Sequence, residues 1–366
     1  MENHANIKLI EPAQWATILG TAAQWGLFLA VACLAMSGLL SIGGWREKWA
    51  GRTFTLGSLL IGFAFVALTV LMVTHQFQYR YVFKHSDTHT PLAYVFAGVW
   101  AGQEGSFMLW ATATAIFGLL SRPRTDHYRR WFTATYSLFL ASLAAILCYE
   151  SPFTRELIEG KFAPPEGMGL VPSLFNYWIV IHPPTIFLGF GSLAVLTCFA
   201  FAAMLHRDID RWSVLVRPWA IVSATLLGIG LVMGGFWAYE TLGWGGFWAW
   251  DPVENTSFVP WVWTLALVHG LFIQSAKRGW RHANIFIAGT SLITFVFGTF
   301  LTRSGFLKDQ SVHSFAEMNR QALWVLIGIL GVLVVSFLGV FAWSLKKNAL
   351  PSEQKPEGKG WSREQF

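Results

Sequence analysis

Ten histidines are spread through the 366 residues, and three of them stand where a ligand could use them. His182 precedes the pair Pro183-Pro184, at the start of a long apolar run. Proline suits a first helical turn, where its missing N–H costs nothing, so this imidazole is expected to have little backbone freedom. His313 lies in the more polar segment Thr302–Arg320. His269 lies about ten residues into another apolar run, ~15 Å deep at the helical rise per residue. An ionisable side chain at that depth is a functional candidate by default; the bland alternative is a histidine bonded to a neighbouring helix. Between these positions, Phe236–Trp263 holds six tryptophans, Trp237, Trp244, Trp248, Trp250, Trp261 and Trp263, among the glycines Gly234, Gly235, Gly243, Gly245 and Gly246. An interfacial aromatic belt accounts for rings at helix ends, but not for a glycine-separated cluster this dense. Glycine lets a backbone approach a flat partner closely, and indole faces offer wide apolar area at low entropic cost. The planar ligand that also takes axial nitrogen is haem.

The elements that must position these groups follow from composition. Hydrophobic residues make up 54% of the chain, charged residues 13%, and the mean hydropathy is +0.47, whereas a soluble domain carries about 25% charged residues. The chain reads as an all-α polytopic membrane protein, and nucleic-acid binding is excluded as the use of its +6 charge. A hydrocarbon core ~30 Å thick needs roughly 20 apolar residues per helix. Nine stretches qualify, near Thr17–Ile42, Thr53–Thr74, Leu92–Leu120, Trp131–Tyr149, Pro184–Leu205, Pro218–Phe236, Val259–Gln274, Ala283–Leu301 and Gln321–Leu345. The polar start contains no cleavable targeting segment, so the first span is expected to remain as an anchor. Alternate loops and the tail collect 18 of the 26 Lys and Arg. The positive-inside bias puts those in the cytoplasm, with the N-terminus and the tryptophan-rich segment 236–263 outside. Residues 1–347 form the membrane domain, and 348–366 a short polar cytoplasmic tail expected to be disordered.

The remaining histidines read as ordinary. His127, His206 and His282 fall beside basic residues in cytoplasmic loops and read as solvated. His75, His85 and His89 match no dedicated metal spacing and read as surface residues. Cys33, Cys148 and Cys198 lie singly in apolar runs, which excludes a CxxC pair or a disulfide framework within this chain.

The string Trp244 to Asn255, WGGFWAWDPVEN, resembles the tryptophan-rich "WWD" signature of the haem-handling superfamily. More narrowly, the chain resembles the CcmF/NrfE family, the membrane component of the cytochrome c haem lyase. Further segments agree in order: Gly102-Gln103-Glu104-Gly105-Ser106 followed by Leu109-Trp110, Ile181-His182-Pro183-Pro184, Leu267-Val268-His269, and Gly298 to Gly305 leading to Ser311-Val312-His313. The resemblance implies that His182 and His313 give axial ligands to a haem b held at the WWD segment, with Trp237, Trp244, Trp248, Trp250 and Asp251 belonging to that site. It also implies that His269 ligates a second haem b within the membrane. The second ligand of that haem lies, in the family, in further spans beyond the region matched here. A split lyase, with a second chain supplying the remainder, is the favoured expectation; the alternatives are that this protein lacks that haem or that its ligation differs.

The implied chemistry is addition of two cysteine thiols of an apocytochrome C-x-x-C-H motif across the haem vinyl groups, outside the bacterial inner membrane. Expected partners are the apocytochrome c, a haem-delivering chaperone, other lyase subunits and membrane lipids. No residue of this chain is assigned a catalytic acid–base role, since orientation supplies much of the rate. Arg303 is placed to meet a haem propionate, or else to snorkel to water. Glu104, the only carboxylate inside an apolar span, is expected to pair with a partner on the external side. Asp251 and Glu254 are expected to fix the loop through hydrogen bonds. The rival reading is a haem carrier or exporter that forms no thioether bond.

Overall fold

The computed structural model describes residues 10–44, 46–208, 211–241, 243, 245–277, 279–306 and 318–346. The described residues form eleven helices: α1 (Gln14–Gly43), α2 (Glu47–Val73), α3 (Arg80–His85), α4 (Leu92–Ala97), α5 (Gln103–Ser121), α6 (Arg129–Tyr149), α7 (Trp178–His206), α8 (Trp212–Thr241), α9 (Pro252–Lys277), α10 (Arg281–Arg303) and α11 (Arg320–Lys346). Strand pairing among them is limited to isolated bridges such as Ile10 with Ala163. Eight helices (α1, α2 and α6 to α11) are long and apolar enough to cross a membrane, and the protein is a multi-pass membrane protein.

The expected span Leu92–Leu120 is not one helix. It breaks after α4 into a 3-10 turn, Gly98–Trp100, and resumes at Gln103. The Tyr81 hydroxyl holds the break: it lies 3.1 Å from both Gly98 O and Val99 O, and accepts the Gly102 N–H at 3.0 Å. Gly105 lies so close that an added Cβ would come within 1.9 Å of Val99 O. Glu104 therefore sits in the first turn of α5, where the helix dipole favours a carboxylate, and not inside a continuous apolar helix.

Helix α5 is 19 residues long, ~28 Å at the helical rise, and runs from the Tyr81 end to the Arg122 end. At the Arg122 end the basic loops meet. Arg130 donates to Ser41 O and Ile42 O, Arg129 lies 3.5 Å from Glu47, and Arg211 lies 2.9 Å from Asp126. His127 is not solvated there: its Nε2 is 2.8 Å from Asp208, and its ring lies 4.8 Å from that of His206. At the opposite end Arg80 N–H donates to Thr154 O, Glu156 N–H to Gln78 O, and Asn319 N–H to the Glu150 carboxylate. The loops thus sort by the alternation of basic charge that the sequence shows.

Helix α7 is the most buried of the eight. Beside it an aromatic column ties three helices together: Phe190 stacks on Phe295 at 3.9 Å, and Trp110 meets Phe295 edge-on at 4.9 Å. By contrast, α9 and α11 bury least of their surface.

Candidate functional site

Helix α7 begins at Trp178, so Pro183 and Pro184 fall inside it and not at its first residue. Pro183 has no N–H to give to the carbonyl four residues back, that of Ile179. The Trp100 indole supplies the missing donor, with Nε1 2.7 Å from Ile179 O. A tryptophan from the broken α4–α5 segment therefore fixes the turn that carries His182.

His182 Nδ1 lies 2.9 Å from Gly230 O on α8. A carbonyl only accepts, so Nδ1 carries the proton and Nε2 keeps its lone pair. The ring rests on Gly234, where a Cβ would come within 2.9 Å of its Cε1, and meets Trp237 edge-on at 5.7 Å. Orientation by a backbone carbonyl through one nitrogen is how ligating histidines are commonly set.

His182 opens onto a cavity of about 580 Å³. Trp237 and Trp248 form part of its wall, and the column of Trp110, Phe190 and Phe295 continues it. Two wall atoms are buried donors that no protein acceptor meets, Trp110 Nε1 and Trp248 Nε1. Buried donors normally find a partner. An apolar, ring-lined cavity with an imidazole lone pair and two such donors fits a flat, mainly apolar guest carrying acceptor groups, as haem does.

Arg303, the last residue of α10, lines the same cavity. Its guanidinium lies 3.2 Å from Ser106 Oγ and 6.0 Å from the Phe107 ring. The Gly102–Ser106 segment and the Thr302–Gly305 segment, far apart in sequence, thus meet here. Met318 N–H reaches Arg303 O at 3.3 Å, so the chain on the far side of residues 307–317 also comes to Arg303. Burial pushes the Glu150 carboxyl up, and the Glu104 charge adds to it, against the Asn319 N–H and Arg303.

The DPVEN string is a helix start. Asp251 Oδ1 accepts the Val253 N–H at 2.7 Å, and Glu254 Oε2 accepts the N–H groups of Ala249 at 2.9 Å and Asp251 at 3.3 Å. That is a capping box with proline at the first helical position. Trp250 adopts φ 60° and is 69% exposed, and it lies off the cavity wall.

Several expected placements change. The connector is only 242–251, because α8 continues to Thr241 and α9 starts at Pro252. Trp261 and Trp263 lie inside α9, where their indoles donate to Ala224 O at 3.1 Å and Thr290 Oγ1 at 2.8 Å; they tie helices together. His85 is not a free surface residue: its Nδ1 is 2.8 Å from Tyr81 O, its ring lies 4.3 Å from that of Tyr81 at a tilt of 32°, and its Nε2 abuts Gly102. Burial lowers its pKa. His269 sits in the second half of α9, exposed on the bundle's outer surface, with Nδ1 2.8 Å from Leu265 O. Trp244 and His313 lie outside the described residues. Trp100 and Phe190 are wall and support residues that the sequence reading did not single out, whereas Ser106 and Trp110 belong to segments it had matched.

Residues 100–307 match the model of a family described as cytochrome C assembly protein. The chain is 34% identical over 338 residues to the cytochrome c-type biogenesis protein CycK of Rhizobium meliloti, covering 87% of this chain and 48% of the relative. It is 35% identical over 332 residues to CcmF of Pseudomonas aeruginosa, covering 86% and 49%. A solved structure, the cytochrome c haem lyase CcmF, matches with a TM-score of 0.65 and 26% identity, over 94% of this chain and 57% of that one. The chain spans about half the length of the curated relatives it matches.

Proposed function

The chain belongs to the cytochrome c assembly protein family, and from that membership we propose that it holds haem for covalent attachment to an apocytochrome c, as one part of a haem lyase at the outer face of the bacterial inner membrane. The observation that carries the proposal is His182. Its Nδ1–H is committed to Gly230 O, which leaves Nε2 as a neutral donor at the cavity. In this reading His182 Nε2, together with His313, would hold the haem iron. The arrival of the chain at Arg303 on the far side of 307–317 supports that pairing.

Haem, when bound, supplies the two vinyl groups that accept the thiols of a C-x-x-C-H segment. This chain's residues bind and orient. Trp237 and Trp248 flank the guest, and Arg303, steadied by Ser106, meets a carboxylate through a charge-assisted contact. Asp251 and Glu254 hold the connector that carries the remaining tryptophans. Orientation is the main contribution such a site makes to rate.

His269 reads as a ligand to a second haem b within the membrane, its second ligand lying outside the region matched to the relatives. Its exposure on α9 supports this. An apocytochrome, a haem-delivering chaperone and further lyase subunits are the remaining partners in this reading. The alternative is a carrier, in which haem is handed over without a bond. Purified protein loaded with haem and given a reduced C-x-x-C-H apocytochrome separates the two. A covalent c-type product supports a lyase; haem transfer with no thioether product overturns the lyase reading.

A further inference from the structure

A second cleft, of about 690 Å³, lies at the opposite end of the bundle from His182, between the start of α2 and the turn joining α5 to α6. Four cations face it, Lys48, Arg52, Arg122 and Arg129, against one carboxylate, Glu47. That carboxylate does not neutralise the set: its contact with Arg129 is 3.5 Å long and solvent-exposed, and exposed ion pairs of this kind hold little.

The guanidiniums are seated by the fold. Arg122 gives its Nε to Thr133 Oγ1 at 3.1 Å. Its terminal nitrogens lie against Gly51, where an added Cβ would approach NH2 to 2.7 Å. Glycine at 51 is thus what makes room for the Arg122 fork. Arg129 Nε is buried with no acceptor from the protein. Below the charges the cleft continues onto Leu56 and Leu59 of α2, which are 47% and 58% exposed. Those leucines lie about one turn apart on the face below Arg52. A row of cations therefore passes directly into an apolar strip, at the end of the protein where basic loops collect.

We propose that this cleft binds an anionic phospholipid, its phosphate held by Arg122 and Arg129 and one acyl chain lying along Leu56 and Leu59. Basic pockets between membrane helices at the cytoplasmic surface take anionic headgroups in this manner. A free phosphate would satisfy the guanidiniums but leave the leucine strip without use, so the lipid is the occupant the whole cleft fits. The bound lipid would fasten the start of α2 to the α5–α6 turn.

The test uses the purified chain in mixed micelles of phosphatidylglycerol and phosphatidylcholine with identical acyl chains, with retained lipid read by native mass spectrometry. Enrichment of phosphatidylglycerol is expected. Each guanidinium near the surface is worth a factor of about five, so Arg122→Gln with Arg129→Gln is expected to weaken retention roughly 25-fold. Arg124→Gln, two residues from Arg122 in the chain but outside the cleft, is expected to leave it unchanged. Equal retention of the two lipids by the parent protein overturns the proposal even if the double variant fails to assemble. Equal loss in the Arg124→Gln control, or displacement of the lipid by millimolar inorganic phosphate, also overturns it.

Discussion

The Trp100 indole is the group that His182 depends on without touching it. Pro183 has removed the helical donor for Ile179 O, and Trp100 Nε1 replaces it at 2.7 Å. Ile179 is 2% exposed, so water has little access to a carbonyl left bare. Trp100→Phe keeps most of the ring and deletes the donor. Leaving a buried acceptor unmet costs about 1–3 kcal/mol. If that cost appears as a lower population of the turn holding His182, haem affinity falls about 5- to 150-fold at 1.4 kcal/mol per decade. Titration of purified protein with haem, followed by absorbance, measures this, with gel filtration reporting the fold. Trp100 also lines the cavity, so a compensating change is needed to isolate the hydrogen bond. Pro183→Ala restores a backbone N–H that reaches Ile179 O in a regular helix. The double variant is therefore expected to regain much of the affinity lost by Trp100→Phe. An unchanged affinity in Trp100→Phe, or a loss that Pro183→Ala does not relieve, would refute this account of the turn.

Three further outcomes follow from the geometry. Tyr81→Phe strips the hydroxyl from Gly98 O, Val99 O and the Gly102 N–H; faster amide exchange in 98–105 and a loss of about 1–3 kcal/mol are expected, and parent-like exchange would count against it. Glu254→Ala removes the acceptor of two N–H groups, and a lost cap of this kind costs about 1 kcal/mol, read as quicker exchange in residues 245–253. His85 has its pKa lowered by burial below the ordinary 6.5, so the unfolded chain binds the proton more readily. Its contribution to stability is full above that ordinary value and is lost as pH falls through the folded one. His85→Gln should flatten the acid side of the stability profile, and an identical profile would sink the assignment.

Much of this architecture was legible because a bilayer makes simple demands. Apolar runs of spanning length gave the helices, and basic residues in alternate loops gave the two ends, since both signals are local. The break at Gly98–Gly102 had a local signal as well: two glycines followed by the polar pair Gln103-Glu104 read as a helix start once the apolar total is set aside. Asp251-Pro252-Val253-Glu254 likewise spells a capping box, which moves Trp261 and Trp263 from the connector into α9. The cavity wall was less readable. Phe190 and Phe295 come from different helices and acquire a role only when those helices pack around Trp110. Trp100 was hidden because its task, replacing the donor that Pro183 lacks, spans 79 positions. No sequence period marks such a pair.

The central claim is that His182 offers Nε2 to the iron of a haem in the cavity. Replacing His182 with glycine and loading the protein with haem, with and without added imidazole, tests it by absorbance and resonance Raman spectra. The account predicts loss of the parent's six-coordinate spectrum and its return when imidazole fills the space left by the side chain. A parent-like spectrum in the glycine variant without imidazole would contradict it.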